Sequence, residues 1–202
     1  MNRIFTIIVL ALSCVLLIAC GSSQPLTAED VDKDALLASL LALEDMPTGW
    51  SINQAAEFEA RTPGGTYDIY CATLPARSIA AATAGFGAGS FGPFIFQNIV
   101  IYPDAQSAED ALTDLIAASQ KCPEETGEDG NTSTYSPLSF PSIGDQSFAL
   151  RTTAGLADID GIRVRVGNAI VTVSHSGVGG VDNKQTEAFA RAAVDKFKKT
   201  WR

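Results

Sequence analysis

The sequence has little of the residues that carry metal and covalent chemistry. Histidine occurs once, as His175, and cysteine occurs four times in 202 residues. A structural zinc site takes four ligands that are mostly cysteine and histidine, so we expect no metal centre and no cofactor. No Gly-x-Ser-x-Gly elbow occurs either, and that motif presents the nucleophile in many hydrolases. We therefore expect no catalytic residues and no enzyme activity.

Positive charge is also scarce. The chain has 14 lysines and arginines against 23 acidic residues, for a formal net charge of −9, and no basic run. Nucleic acids and anionic head groups attract basic patches, so we expect no nucleic-acid partner. The hydrophobic content of 46% is too high for a disordered chain, which predicts a folded domain.

The first 20 residues differ from this acidic background. A basic start at Met1–Arg3 precedes an apolar run from Ile4 to Ala19, and this order is typical of an export signal. The run ends in Leu17-Ile18-Ala19-Cys20, which resembles the bacterial lipobox, whose cysteine thiol takes a diacylglyceryl group before cleavage. The alternative is an uncleaved membrane helix, for which the run is slightly shorter than the ~20 residues usually needed.

Lipidation of Cys20 implies a domain organisation and a location. We expect a signal peptide over 1–19, a lipidated tether over 20–28 and a single domain over 29–202, held by its lipid at the extracytoplasmic face of the cell membrane. Cys71 and Cys122 are then the remaining thiols, and in an oxidising compartment they most simply form one disulfide. In the chain-entropy model, closing a loop of about 50 residues contributes ~4 kcal/mol.

In the first half of the chain, periodicity predicts one helix and two strands. The helix begins at Thr27 with Asp30 at the capping-box position, continues through a leucine stripe and ends in the turn at 46–50. Strands are expected at 66–71 and at 94–102. The stretch 77–94 is rich in alanine and in glycine, which gives little to bury, and it is interpreted as a mobile loop, with a lid over a cleft as the alternative.

The second half gives clearer signals. A capping pattern at Ser107 opens a helix that Cys122-Pro123 ends, and the polar stretch 124–136 is interpreted as a loop. Strands are expected at 146–153, 162–166 and 169–174, and a closing amphipathic helix ends near Trp201. Gly167-Asn168 is a favoured two-residue hairpin turn. The fold class is α+β: a twisted antiparallel sheet of about five to seven strands flanked by amphipathic helices.

This turn fixes the hairpin register and therefore the candidate ligand-binding residues. Arg163 and Arg165 lie on one face, opposite to the apolar face, and Arg151 joins them if Leu150 points inward. Three arginines on one face suit an anion; the alternative is a solvated face. His175 falls opposite Asp160 and is expected at the surface or bonded to a turn, although it is kept as a candidate ligand contact.

The pattern as a whole resembles the extracellular sensor domain of actinobacterial Ser/Thr kinases of the PknH type, which also occurs on stand-alone lipoproteins. The resemblance lies in the segments 99–102, 107–111, 144–147 and 162–171, in the helix that ends at Cys122 and in the closing helix. It implies a twisted antiparallel sheet flanked by helices, with a cleft proposed to bind ligand. The kinase version is expected to carry two disulfides, and this chain has cysteines for one.

Three functions are consistent with these features. The first is a lipid-anchored ligand-binding or sensor-like module, which a concave apolar pocket with converging polar groups would favour. The second is a structural or protein-interaction lipoprotein of the envelope without a small ligand, which a flat apolar patch would favour. The third is a hydrolase, which would need a histidine within reach of a hydroxyl. Partners are thus the membrane, through Cys20, and an unknown small ligand or envelope protein.

Overall fold

A computed structural model describes residues 24–127 and 130–201. This part of the chain forms ten strands: β1 (Ser51–Ala60), β2 (Thr66–Ile69), β3 (Ala72–Pro75), β4 (Ala80–Gly87), β5 (Phe94–Ile101), β6 (Glu124–Thr126), β7 (Thr132–Pro137), β8 (Gln146–Ala154), β9 (Ala157–Val166) and β10 (Ala169–Val178). Eight of them make one antiparallel sheet in the order β1-β4-β5-β10-β9-β8-β7-β6, and β2 pairs with β3 in a separate hairpin. The α+β class is confirmed, and the sheet is larger than expected.

Three helices flank the sheet: α1 (Lys33–Ala38), α2 (Ala105–Lys121) and α3 (Asn183–Thr200). Helices α1 and α3 pack on one face, called here the closed face, which carries Ile99, Ile162 and Val173. Helix α2 and the β2–β3 hairpin cover part of the opposite face, called here the cleft face, which carries Ile170 and Leu150. The sheet is therefore covered on both sides, but unequally.

The hairpin β9–β10 has the predicted register. Val166 lies opposite Ala169 and Val164 opposite Val171, while Gly167 adopts a φ of 59° that a two-residue turn requires. The closing helix also forms as predicted, with Asp182 as its N-cap. Strand β8 and strand β5 match their predicted positions to within two residues.

The interpretation of 77–94 as a mobile loop is wrong for most of this stretch, because it contains β4. This strand lies between β1 and β5 and is buried along almost its whole length. Its small residues are what the packing requires: a Cβ added at Gly87 would lie 2.7 Å from the Phe94 ring, and one at Gly85 would lie 3.1 Å from the Cβ of Gln54. The strand was not predicted from composition because alanine and glycine give little strand signal on their own.

The polar stretch 124–136 is also not a plain loop. It contains β6 and β7, which pair with each other, and β7 adds to the edge of the sheet at β8. Edge strands tolerate polar residues because one side of the strand remains in contact with water. Strand β7 therefore lacks the alternation of apolar residues by which a strand is usually predicted.

The first predicted helix breaks into three short pieces. A 3-10 turn (Ala28–Asp30), α1 and a second 3-10 turn (Leu43–Asp45) replace it. The capping box between Thr27 and Asp30 is present, but it caps the first turn only. After α1, the backbone amide of Leu41 donates to Oε1 of Gln97, which is fully buried, at 2.7 Å. This tertiary bond satisfies an amide that a continuous helix would have bonded internally.

Helix α2 starts earlier than predicted. Its N-cap is Asp104, whose carboxylate accepts from the backbone amide of Ser107 at 2.7 Å, and it ends at Cys122 as expected. None of the helices within residues 24–127 and 130–201 is long and apolar enough to cross a membrane. The predicted signal peptide and the lipidation site Cys20 lie outside the described residues and stay predictions.

Candidate ligand-binding cleft

The cleft face holds a cavity with a volume of about 740 Å³. Its floor is formed by β5 and β10 and its walls by α2, the β2–β3 hairpin and the segments that flank them. The apolar lining includes Ile69, Phe96, Val100, Leu115 and Ile170; the polar lining includes Glu59, Arg61, Tyr67, Arg77, Asn98, Tyr102, Arg163, Thr172 and Ser174. An apolar surface with a few converging polar groups is the usual character of a small-molecule site.

The strand register aligns the polar residues of the floor in one row. Asn98 lies opposite Thr172 across β5 and β10, and Thr172 lies opposite Arg163 across β10 and β9. The neighbouring row on one side contains Val100 and Ile170. Side chains on adjacent antiparallel strands at paired positions stand about 5 Å apart, so the row presents an amide, a hydroxyl and a guanidinium together beside an apolar surface.

A disulfide attaches one wall of the cleft to the other. Cys71, in the turn of the β2–β3 hairpin, is bonded to Cys122 at the end of α2, with the two Cα atoms 5.7 Å apart. The predicted pairing is confirmed. Since the hairpin is not hydrogen-bonded to the main sheet as a strand, this covalent bond is one of the main restraints on its position.

The hairpin turn itself has an unusual backbone. Tyr70 and Cys71 both have positive φ, 51° and 54°, a region in which non-glycine residues cost of order 1 kcal/mol or more each. Packing holds them there: Tyr70 is 7% exposed, and its ring meets that of Tyr135 edge-on at 4.9 Å. Its hydroxyl also accepts a hydrogen bond from Nη2 of Arg163 at 2.7 Å. The turn therefore connects the wall of the cleft to its floor.

Three arginines line the cleft, and their partners differ. Arg61 pairs with Glu59 at 2.7 Å, and Arg77 pairs with Asp114 at 2.7 Å. Arg163 has no carboxylate partner within the described residues; its guanidinium lies 5.6 Å from the centre of the Tyr70 ring and donates to the hydroxyl of that tyrosine. The cleft therefore contains one cation whose charge is not compensated by an acid.

Two tyrosines on the cleft are held in the neutral form. Burial raises the pKa of Tyr67, although the nearby cations Arg163 and Arg77 oppose the shift. Burial also raises the pKa of Tyr102 well above its ordinary value. Neither hydroxyl has a hydrogen-bond partner in the part of the chain that the structure describes, and both are therefore free to donate to a ligand.

The predicted three-arginine face does not form. Arg163 and Arg165 share the cleft face as expected, but Arg151 lies on the closed face, where it is paired across β8 and β9 with Asp160. The predicted register of the hairpin is correct. The error was the assumption that Leu150 lies on the same face of the sheet as Ile162. Leu150 is buried against α2 instead, because both faces of the sheet are covered by helices.

Arg151 and Arg165 have structural partners. Arg151 donates two hydrogen bonds, of 2.7 and 2.9 Å, to the two carboxylate oxygens of fully buried Asp160, and this bond to Asp160 is the main reason that the pKa of Arg151 is raised. Arg165 lies 3.6 Å from Glu109 and 3.5 Å from Asp145. Of the three candidates, only Arg163 lines the cleft.

His175 is not a surface residue. It lies opposite Asp160, as the register predicted, but it is 1% exposed on the closed face. Its Nδ1 is 2.8 Å from the hydroxyl of Thr186, which itself donates to the carbonyl of Asp182; Nδ1 therefore carries the proton and donates. Burial lowers the pKa of His175, although Asp160 and Asp182 act in the opposite direction. A hydroxyl thus lies within reach of the histidine, as a hydrolase would need. However, Nδ1 donates to that hydroxyl and cannot take its proton, and both side chains are about 1% exposed. The pair therefore packs the start of α3 into the core.

The lining residues that the sequence analysis did not single out include Arg61, Tyr67, Arg77 and Tyr102. Arg61, Tyr67 and Arg77 lie in the β2–β3 hairpin or in the loops beside it, and Tyr102 directly follows β5. The placement of the hairpin over the sheet brings them together. Tyr102 is the last residue of the strand predicted over 94–102, but the sequence does not tell which face of that strand lines a cleft. In contrast, the alternation of side chains on either side of the hairpin turn was enough to assign the residues of β9 and β10 to the two faces.

The fold and the cleft define an α+β domain with a partly covered antiparallel sheet. No family model matches the chain, and no curated protein matches its sequence. Among solved structures, the chain is similar in fold to the extracellular domain of PknH from Mycobacterium tuberculosis, with a TM-score of 0.63 and 15% sequence identity over 87% of this chain and 98% of that one. The fold expected from the resemblance is thus confirmed.

Proposed function

We propose that this protein is a lipid-anchored extracytoplasmic module that binds a small amphipathic molecule in the cleft and catalyses no reaction on it. The observation that carries the proposal is the cleft itself: about 740 Å³ of space, with Asn98, Thr172 and Ser174 presented beside Phe96 and Ile170. None of the three polar side chains has a hydrogen-bond partner within residues 24–127 and 130–201. Groups left free in a concave surface are the ones a ligand satisfies.

The location rests on sequence and on where the chain enters the domain. The lipobox-like segment at Cys20 supports export and lipidation, and the fold is shared with a domain described as extracellular. Leu26, six positions after Cys20, donates its amide to the carbonyl of Pro103 at 2.9 Å. Lipidation at Cys20 would therefore hold the end of the sheet near Pro103 close to the membrane.

Binding can be tested with a neutral amphipathic probe. N-phenyl-1-naphthylamine fluoresces when it enters an apolar site, and we expect saturable binding to the purified protein. Thr172→Trp would place an indole on the cleft floor and should abolish saturable binding. Thr134→Trp is the matched control, because Thr134 is exposed on β7, away from the cleft, and should leave binding unchanged. Equal binding by both variants would contradict the proposal.

The lipid anchor has its own test. Cys20→Ala should abolish labelling with a radioactive or clickable palmitate and should release the exported protein from the membrane fraction. Cys14→Ala removes a thiol from the same segment, six positions earlier, and should leave labelling unchanged. Continued labelling of the Cys20 variant would refute lipidation at that residue.

One observation favours the second candidate function, a protein-interaction module of the envelope. Phe91, Leu156 and Val178 are 83%, 86% and 63% exposed. Val178 ends β10, Leu156 lies in the turn between β8 and β9, and Phe91 lies in the loop between β4 and β5. All three lie at the same end of the sheet, since Val178 pairs with Ala157 and Ser176 pairs with Phe94. Serine at all three positions would leave probe binding unchanged under our proposal, but would weaken association with an envelope partner under the alternative.

A further inference from the structure

The charges of the cleft point to the chemical class of its ligand. We infer that the cleft takes an amphipathic molecule carrying one oxyanion, such as a carboxylate, a sulfonate or a phosphate monoester, which Arg163 binds while the apolar part lies on Phe96 and Val100. This inference rests on the proposed function, since it names the ligand class for the same cleft.

The first observation is the imbalance of charge. The cleft is lined by Arg61, Arg77, Arg163 and one acid, Glu59, in a chain whose formal net charge is −9. Arg61 and Arg77 are paired with carboxylates at 2.7 Å. Among the residues described, the guanidinium of Arg163 has one hydrogen-bond partner, the hydroxyl of Tyr70, and no carboxylate partner. A guanidinium has five N–H donors, and the bond to Tyr70 uses one of them.

The second observation is how Arg163 is held. Its guanidinium stacks near the Tyr70 ring on one side, and it passes over Gly161, where an added Cβ would lie 3.5 Å from its Nη1. A fixed guanidinium loses less side-chain entropy on binding than a free one. The arginine is therefore oriented before any ligand arrives.

The third observation is the set of donors around it. Thr172 and Asn98 continue the row from Arg163 across the floor. Tyr67 lies close enough to Arg163 for the cation to act on its pKa, and its phenol remains protonated at neutral pH. An oxyanion accepts several hydrogen bonds at once, so these groups make a complementary set for its oxygens. The row of Val100 and Ile170 on one side and the ring of Phe96 on the other suit the rest of an amphiphile.

Two probes that differ by a single group test the inference. 8-Anilino-1-naphthalenesulfonate carries a sulfonate, and N-phenyl-1-naphthylamine is the same skeleton without it. Removing a charge-assisted contact costs about tenfold to hundredfold in affinity. We therefore expect Arg163→Met to weaken binding of the sulfonate by at least about tenfold and to change binding of the neutral probe by less than about threefold.

Arg165→Met is the matched control. Arg165 lies on the same strand and face, two positions away, but it is placed beside Glu109 and Asp145 and does not line the cleft. We expect it to change the affinity for either probe by less than about threefold. Arg163→Lys keeps the cation and should retain part of the sulfonate affinity even if loss of the bond to Tyr70 loosens the Met variant.

Other results with these variants would contradict either the role of Arg163 or the proposed function. Equal loss of both probes in Arg163→Met and Arg163→Lys would mean that Arg163 shapes the cleft and does not bind an anion. Unchanged sulfonate binding in Arg163→Met would place the anion elsewhere. In both cases the proposed function remains. Failure of the wild-type protein to bind either probe would contradict the proposed function and, with it, this inference.

Discussion

The two faces of the sheet differ in how completely they are covered. On the closed face, α1 and α3 bury a continuous core that includes Ile95, Ile99 and Ile162, each at most 2% exposed. On the cleft face, α2 and the β2–β3 hairpin cover only part of the sheet, and Phe96 remains 40% exposed. Successive residues of the same strands serve both faces, since side chains alternate along a strand.

The arginines on the two faces have different partners. On the closed face, Arg151 is bound at two points by the buried carboxylate of Asp160. On the cleft face, the one hydrogen-bond partner of Arg163 among the described residues is the hydroxyl of Tyr70, and Arg163 lines a cavity. A cation held by an acid stabilises a structure, whereas a cation without one is available to a ligand. The comparison therefore assigns stability to one face and binding to the other, and it can be tested by changing one face at a time.

The largest effect is expected from the arginine pair. Arg151→Met leaves Asp160 buried without its partner, which costs about 3–5 kcal/mol of unfolding free energy. Arg163→Met removes one hydrogen bond to a neutral hydroxyl and should cost about 1 kcal/mol or less. Urea denaturation of the two variants measures both values. Equal destabilisation would mean that Arg163 is as structural as Arg151.

Removal of the disulfide should cost nearly as much. Cys71→Ser with Cys122→Ser releases a loop with a sequence separation of 51, and the chain-entropy model gives about 4 kcal/mol. The hairpin should then exchange its amide protons faster than β9 and β10 do, because its remaining contacts are few. Hydrogen exchange by mass spectrometry checks this order. Uniform loss of protection over the whole sheet would contradict a local role for the disulfide.

Two adjacent residues of β5 test the comparison directly. Ile95 is 1% exposed on the closed face, and Phe96 is 40% exposed on the cleft face. Ile95→Ala should cost about 2–5 kcal/mol through lost burial and the cavity it leaves, whereas Phe96→Ala should cost about 1 kcal/mol or less. The larger side chain should thus matter less for stability. Thermal unfolding of both variants decides, and a larger cost at Phe96 would reverse the assignment of the faces.

The smallest effect concerns pH. Burial lowers the pKa of folded His175 below its unfolded value of about 6.5. The unfolded chain then binds the proton more readily, so stability falls as pH drops below about 6.5 and levels off once the folded histidine also protonates. The slope is at most about 1.4 kcal/mol per pH unit for one proton.

His175→Gln should remove this part of the pH dependence, because the chain has no other histidine. Urea midpoints of the wild type and the variant, taken at half-unit steps from pH 7.5 to 5.5, show the difference. A slope that is the same in both proteins would mean that other groups titrate in this range and that His175 contributes nothing to it.

How far the sequence predicts this fold depends on how local the signal is. The register of the β9–β10 hairpin was predicted to the residue because Gly167-Asn168 sets the turn and the alternation of valine and arginine sets the faces. Both strands extend farther from the turn than the predicted 162–166 and 169–174. Strand β4 was missed because alanine and glycine give little strand signal, and their burial depends on packing against β1 and β5. The position of Arg151 was predicted wrongly for a related reason. The alternation of side chains along a strand shows which residues of that strand share a face, but it does not show which face a helix covers.

The cleft was predicted only through family resemblance. Of the four candidate ligand-binding residues, only Arg163 lines the cleft, and its neighbours Tyr67 and Arg77 come from the hairpin region that the disulfide holds in place. The residues that make a cavity are joined by tertiary contacts, and a periodic pattern in one strand carries no information about them.

The most direct test of the central claim is a methyl NMR experiment on the protein with bound N-phenyl-1-naphthylamine. Val100 and Ile170 point to the cleft face, whereas their neighbours Ile99 and Val171 point to the closed face. The account predicts nuclear Overhauser contacts from the probe rings to the methyl groups of Val100 and Ile170 and none to those of Ile99 and Val171. Contacts to Ile99 and Val171 instead would contradict it.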